Sequence, residues 1–104
     1  MQLEFRLGGT LIRVDGEIVE IFGGVEFSHR YLLPSLRVEV QPSRKGELVR
    51  RSTSAPADWP LYELYAKPGY QRGVVEAFIP IADEPIYRQF FTQVAQPCGR
   101  SVVA

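Results

Sequence analysis

The sequence contains few of the side chains from which most metal and catalytic sites are built. Its 104 residues include one cysteine, Cys98, and one histidine, His29. A lone cysteine cannot form an internal disulfide, excludes a cysteine-based zinc site and is typical of a reducing compartment. We therefore predict a protein without a bound metal ion or cofactor.

The chain also lacks an excess of charge of either sign and any long apolar run. Twelve Lys and Arg residues balance twelve Asp and Glu residues. No whole-molecule field therefore attracts polyanions, and we expect no nucleic-acid partner. No stretch approaches the roughly 18 unbroken apolar residues of a membrane span. Residues 1–7 lack the basic start and apolar stretch of a secretion signal, so the expected location is cytoplasmic.

What the chain does contain is enough apolar material for one core. Apolar residues make up 45% of the sequence and charged residues 23%, which is the usage of globular proteins. A chain of this length falls near the most common size of a single domain. We predict one domain that covers residues 1–104.

Alternating apolar and polar residues predict strands within residues 3–81. In the clearest pair, residues 10–14 and 17–22 flank Asp15-Gly16, a dipeptide typical of a type I′ hairpin. In that register Val14 opposes Glu17. The buried face of this hairpin then comprises four residues: Ile12, Val14, Val19 and Ile21.

Six further segments show strand-like patterns, and Pro34 forms a corner between two of them. They cover residues 3–7, 25–31, 36–40, 47–51, 61–66 and 74–79. The last two of these segments are expected to pair as a hairpin. Residues 52–60 are expected to form a mobile loop anchored by Trp59.

One helix is predicted at about residues 84–96, with Asp83 as its N-cap and Gly99 beyond its end. Its apolar stripe comprises Ile86, Tyr87, Phe90, Phe91 and Val94. The fold class is therefore mainly β, or α+β. We expect a strongly curved antiparallel sheet or partly open β-barrel of six or seven strands, capped by this C-terminal helix.

This order of elements resembles the pleckstrin-homology-like (PH-like) domains of bacteria, several families of which have no assigned function. Four features carry the resemblance: Gly9-Thr10-Leu11, residues 14–19, residues 31–40 and the closing helix. It implies a partly open barrel that mainly binds peptides, proteins or lipid headgroups. Lipid-binding members carry basic residues around the first hairpin loop, whereas Asp15 and Glu17 would repel a phosphate here.

A basic group at Arg44, Lys45, Arg50 and Arg51 is the first candidate binding site. A hairpin would bring these residues together, and charges on an exposed edge strand discourage aggregation. A solvated hairpin is therefore the favoured interpretation. The alternative is a site for an anion, an acidic partner or an acidic membrane surface.

Aromatic residues form the second candidate. Trp59, Tyr62, Tyr65 and Tyr70 lie within one short stretch, and such residues are common at protein interfaces. Strand alternation points Tyr65 outward. We predict that Trp59 and Tyr65 contribute to a contact surface for a peptide or partner protein.

No catalytic residue is identified, because Ser28 and His29 would point to opposite faces of a strand. We expect a noncatalytic module that binds a protein, a peptide or itself, and sheet edges would permit a homodimer. The alternative is a small-molecule or lipid-headgroup binding barrel, or a minor enzyme, with an internal polar-lined pocket. The inward positions are mostly Val, Ile, Leu and Phe, which favours a filled interior.

Overall fold

The structure is a computed structural model that describes residues 2–23, 29–43, 45–65 and 75–104. Strands hold 51% of the described residues, so the fold is mainly β. In chain order the strands are β1 (Gln2–Leu7), β2 (Thr10–Asp15), β3 (Ile18–Phe22), β4 (His29–Leu32), β5 (Leu36–Pro42), β6 (Leu48–Ser54), β7 (Tyr62–Leu64), β8 (Val75–Ile79) and β9 (Val102–Val103). One α-helix, α1 (Glu84–Cys98), lies between β8 and β9.

The first sheet contains β1, β2, β3 and β4 in chain order, with neighbouring strands antiparallel. Its β2–β3 hairpin pairs Asp15 with Ile18, so the loop residues are Gly16 and Glu17. Positive φ is found at Gly16 and not at Asp15. The predicted pairing of Val14 with Glu17 is therefore wrong by two positions.

The four residues predicted to fill the inner side of this hairpin are all buried nevertheless. A register shift of two positions leaves every side chain on its original face, because the side-chain period of a strand is two. Only a shift of one would have exchanged the faces. The burial prediction is confirmed for Ile12, Val14, Val19 and Ile21.

A 3-10 turn at Leu33–Ser35 separates the two sheets. The turn contains Pro34, as the predicted corner required, and the Leu33 amide donates to the carbonyl oxygen of Glu17. The next strand, β5, pairs with β6 and β7 rather than with β4. Of the predicted strand at residues 25–31, residues 25–28 lie outside the described residues.

The second sheet has the order β8-β6-β5-β7-β9. Its β5, β6 and β8 are antiparallel neighbours, whereas β7 runs parallel to β5 and β9 runs parallel to β7. The predicted hairpin between residues 61–66 and 74–79 is therefore wrong, because β5 and β6 separate β7 from β8. Alternation identifies a strand, but it does not specify which strand pairs with it.

The two sheets are neither closed nor strongly curved, so the prediction of a curved sheet or partly open barrel is wrong. The mainly β composition and the single C-terminal helix are confirmed. The inner faces of both sheets contribute to one core. It includes Phe5, Ile12, Val14, Val19, Ile21 and Tyr31 from the first sheet, and Leu36, Val38, Val40, Leu48, Tyr62 and Ile79 from the second.

Helix α1 contacts both sheets through its aromatic side chains. The ring of Tyr87 lies 4.8 Å from that of Phe5 in β1. The ring of Phe91 stacks 5.4 Å from that of Tyr62 in β7. The predicted stripe is buried except for Ile86, which is 45% exposed. One helix therefore joins the two sheets at one core.

The start of α1 differs from the prediction. Asp83 has helical backbone angles and makes no side-chain capping bond, because a 3-10 turn at Ile81–Asp83 leads directly into the helix. Glu84 is buried and accepts a hydrogen bond of 2.9 Å from the Tyr62 hydroxyl. The helix ends where Gly99 adopts a left-handed conformation, a common terminator.

Candidate functional site

The basic group predicted from sequence is divided between the two faces of the second sheet. Strand β6 has β5 on one side and β8 on the other, so it is an interior strand and the predicted exposed edge is wrong. Arg50 and Arg51 are adjacent, and their side chains therefore lie on opposite faces. Lys45 is exposed in the turn before β6. Arg44 lies outside the described residues.

Strand β6 is also longer than the sequence predicted. It continues to Ser54, and both Ser52 and Thr53 are buried. The prediction of a mobile loop beginning at residue 52 is therefore wrong for its first three residues. Serine gives a weak strand signal whereas threonine favours strands, and pairing with β5 satisfies the backbone of this segment.

The outer face is the side of the second sheet that faces away from the first sheet. Alternation along β5, β6, β7 and β8 defines its members, and cross-strand pairing brings them together. They are Arg37, Glu39, Gln41, Val49, Arg51, Thr53, Glu63, Glu76 and Phe78.

Ion pairs occupy the middle of the outer face. Arg37 lies 3.0 Å from Glu39 and 3.1 Å from Glu63, measured between nitrogen and carboxylate oxygen. Arg51 lies 3.1 Å from Glu76. Both arginines therefore have carboxylate partners within the sheet, which reduces their availability to an external anion.

Burial changes the electrostatics of this cluster. Glu39 is 1% exposed, and burial raises the pKa of its carboxyl although Arg37 and Arg51 oppose the change. The guanidinium carbon of Arg37 lies 4.6 Å from the ring centroid of Trp59, which is a cation–π geometry. Trp59 is thus anchored to the outer face, in the role that the sequence predicted for it.

Exposed apolar side chains lie on the outer strands β8 and β9 and directly after β7. Phe78 on β8 and Tyr65 after β7 are each 61% exposed, and Val103 on β9 is also exposed. The outward orientation predicted for Tyr65 is confirmed. Trp59 precedes β7 and Tyr65 follows it, so the two predicted contact residues lie at opposite ends of that strand.

Two shallow depressions open at opposite ends of the second sheet. One has a volume of about 380 Å³ and is lined by Pro42, Ser43, Lys45, Val49, Arg51, Glu76 and Phe78. The other has a volume of about 430 Å³ and is lined by Ser35, Ser54, Ala55, Pro56 and Trp59. The predicted residues Lys45 and Arg51 thus share one depression, while Trp59 belongs to the other.

On the inner face, Arg50 is fully buried. Its three guanidinium nitrogens have no hydrogen-bond partner among the described residues. The guanidinium carbon lies 5.5 Å from the ring centroid of Tyr87, and burial lowers the pKa of Arg50. The sequence analysis placed Arg50 in a solvated hairpin. Arg50 lies two residues after the apolar Leu48, so strand alternation already indicated that both side chains point inward.

Arg100 is a structural residue that the sequence analysis missed. Its guanidinium donates to the carbonyl oxygens of Leu33 at 2.8 Å, Leu36 at 2.5 Å and Trp59 at 2.9 Å. These bonds attach the segment after α1 to the corner between the sheets. They also hold the backbone of Trp59 in place beside Arg37.

Other candidate chemistry is sparse in the part of the chain that the structure describes. No group of three His, Cys, Asp or Glu side chains there is placed to hold a metal ion. No helix there is long and apolar enough to cross a membrane. Comparison of the chain with protein-family models, curated proteins and solved structures finds no match.

Proposed function

We propose that this chain is a noncatalytic interaction module that binds a protein or peptide partner through the outer face of its second sheet. The observation that carries the proposal is the buried Arg37–Glu39 pair on a face that also holds exposed Phe78 and Val103, with exposed Tyr65 directly after β7. Protein interfaces are enriched in aromatic residues and arginine. They also combine apolar anchors with polar groups that set specificity.

The rigidity of the outer face supports this proposal. Arg37 is held by two carboxylates and by the ring of Trp59, and its neighbours are held in register by the strands. Side chains that are ordered before binding lose less conformational entropy when a partner arrives. A partner would therefore meet a surface whose charges already have defined positions.

The resemblance to bacterial PH-like domains favours the same kind of function. That family implies binding of peptides, proteins or lipid headgroups. This chain shares with it a C-terminal helix after a mainly β body, although its two sheets are not closed. Asp15 precedes the turn of the β2–β3 hairpin and Glu17 lies in it, and both are exposed. Their carboxylates favour a peptide or protein over a phosphorylated headgroup.

A matched pair of substitutions tests which surface binds. Phe78 on β8 and Leu32 on β4 have nearly equal exposure, 61% and 60%, and they lie on different sheets. A partner would be captured from a lysate of the source cells, identified and purified. Its binding to the parent chain and to each variant would then be measured by titration calorimetry. We expect Phe78→Ser to weaken binding about 5- to 30-fold, the loss of an interface anchor worth roughly 1–2 kcal/mol.

The control variant Leu32→Ser should bind as the parent does. Equal losses in both variants, or a larger loss in Leu32→Ser, would contradict the proposed surface. Sedimentation of the purified chain over a range of concentrations distinguishes a second copy from a foreign partner. If the partner is a second copy, Phe78→Ser should shift the dimer towards monomer and Leu32→Ser should not.

A further inference from the structure

The strand β8 is the least protected sheet edge in the part of the chain that the structure describes. The sheet orders there place β1, β4, β8 and β9 at the edges. Proteins limit pairing at such edges with charged side chains or by keeping the edge strand very short. Strand β9 has two residues, β1 carries Glu4 and Arg6, and β4 carries Arg30. The five residues of β8 include one charge, Glu76, and it is already ion-paired within the sheet.

A row of apolar side chains on the outer face ends at this edge. Val49 of β6 pairs directly with Phe78 of β8. Phe78 is 61% exposed, and no described strand lies beyond it. Unpaired backbone groups of an edge strand are a template for a further strand, and aromatic side chains directly opposite each other stabilise an antiparallel pair. A strand with an aromatic residue at the matching position would therefore cover Phe78.

The charges on the two sides of Phe78 are opposite in sign. Glu76 lies on one side, two residues earlier on the same face, and its side chain is 50% exposed. Lys45 lies on the other side, because it belongs to the turn next to Leu48, which pairs with Ile79. Lys45 and Glu76 both line the depression beside Phe78. Lys45 makes no ion pair with a described carboxylate, so a carboxylate of a partner can pair with it.

We propose that two copies of this chain pair through antiparallel β8 strands, about a twofold axis at Phe78 that is perpendicular to the sheet. The two five-stranded sheets then join into one continuous sheet. The axis reverses the order of the charges, so Glu76 of each copy lies on the same side as Lys45 of the other. A closed twofold contact needs such a self-complementary patch. A second copy therefore supplies both the aromatic neighbour and the carboxylate that this edge lacks.

This inference rests on the proposed function, because Phe78 belongs to the same outer face, and it identifies the partner as a second copy. Sedimentation equilibrium of the parent chain from about 1 μM to about 1 mM tests it. We expect the average mass to rise from that of a monomer towards that of a dimer. Phe78→Ser removes the anchor from both copies and should weaken the dimer about 10-fold or more. Leu32→Ser, at nearly equal exposure on the first sheet, should leave it unchanged.

Two charge-reversal variants test the geometry. Lys45→Glu and Glu76→Lys should each weaken self-association about 5-fold or more, since like charges would meet in each homodimer. An equimolar mixture of the two should associate as the parent does, because its mixed dimers contain only pairs of opposite charge. Arg30→Glu changes the net charge as Lys45→Glu does, but at an exposed position of the first sheet, and should have no effect. These substitutions lie at exposed positions and should leave the fold intact.

The outcomes separate this inference from the proposed function. A parent chain that stays monomeric at the highest concentration overturns the inference, while a foreign partner could still bind the outer face. If Phe78→Ser weakens the dimer but the mixture associates no more strongly than either charge variant alone, the β8 pairing is wrong and the proposed surface stands. A dimer that Phe78→Ser does not weaken would contradict both.

Discussion

On the outer face of the second sheet, Arg37 and Arg51 each pair with at least one glutamate, whereas Arg50 on the inner face has no acidic partner among the described residues. Arg50 and Arg51 are neighbours in the sequence. Their different pairing therefore results from the side of the sheet on which each side chain lies and not from their position along the chain. The outer cations are already neutralised and can set the shape and specificity of a contact surface. The inner cation contacts the ring of Tyr87 and has no hydrogen-bond partner among the described residues, and its burial keeps it away from any partner at the surface.

The two faces also differ in what stabilises them. The inner face packs apolar side chains against the first sheet and α1. Its contribution to the free energy of unfolding should therefore depend little on salt concentration. The outer face depends on ion pairs, and removal of one member leaves another charge without a partner. Substitutions on each face should therefore differ in size and in their response to ionic strength.

The largest effect is expected on the inner side. Phe91 is fully buried and stacks on Tyr62, so Phe91→Ala should lower the free energy of unfolding by about 3–5 kcal/mol. Urea denaturation at low and at high sodium chloride measures this loss, which should be similar at both. Ile86→Ala, at an exposed position of the same helix, should change stability by about 0.5 kcal/mol or less. A loss below about 1 kcal/mol for Phe91→Ala would mean that α1 does not seal the core.

A somewhat smaller effect is expected on the outer side. Arg37→Ala removes the partner of Glu39 and Glu63 and the cation beside Trp59. Breaking a buried pair by removing one member costs about 3–5 kcal/mol. We expect about 2–4 kcal/mol here, because Glu63 is partly exposed. Urea denaturation followed by Trp59 fluorescence measures both the stability and the environment of the ring.

Two comparisons separate pairing from packing at Arg37. Arg30→Ala breaks an exposed pair with Glu20 and should cost about 1 kcal/mol or less. The double variant Arg37→Met/Glu39→Leu should recover most of the loss, because it leaves no unpaired buried charge between these two positions. If the double variant is less stable than Arg37→Ala alone, the outer face depends on something other than charge pairing.

These contrasts show which parts of the molecule the sequence could predict. Period-two alternation identified the buried residues of the β2–β3 hairpin even though its predicted register was wrong. A register shift of two residues leaves each side chain on the same face of the sheet. The same alternation could not show that β7 pairs with β5, because strand pairing depends on contacts between residues that are far apart in the sequence. The predicted barrel was wrong because curvature and closure are not encoded in a local pattern.

The candidate sites were less predictable than the strands for the same reason. Tyr65 was correctly expected to point outward, but its separation from Trp59 depends on where β7 lies in the sheet. Arg50 was grouped with Arg51 because charged side chains are usually exposed to solvent. The sequence did not show that β8 pairs with β6 and makes it an interior strand. The three carbonyl partners of Arg100 lie 41 to 67 residues away, so no local signal exists for them.

The smallest expected effect concerns pH and again contrasts two surfaces. Burial raises the pKa of Glu39 above its ordinary value of 4.5, so the folded state binds this proton more readily than the unfolded state. The contribution of Glu39 to the free energy of unfolding should therefore fall as the pH rises from about 4.5 through the raised pKa, and then level off. Glu39→Gln should remove this slope, measured as the difference between parent and variant in urea denaturation at a series of pH values.

Glu4 on the first sheet provides the control of opposite sign. Its hydrogen bond from Arg6 lowers the pKa of the Glu4 carboxyl, so its contribution is present at neutral pH and is lost as the pH falls through the lowered pKa. This exposed pair should weaken with added salt, whereas the slope due to Glu39 should persist because buried charges are screened less. If the difference between the parent and Glu39→Gln instead increases with pH, Glu39 behaves as an ordinary ion-paired carboxylate, and the electrostatic contrast between the outer face and the exposed surface disappears.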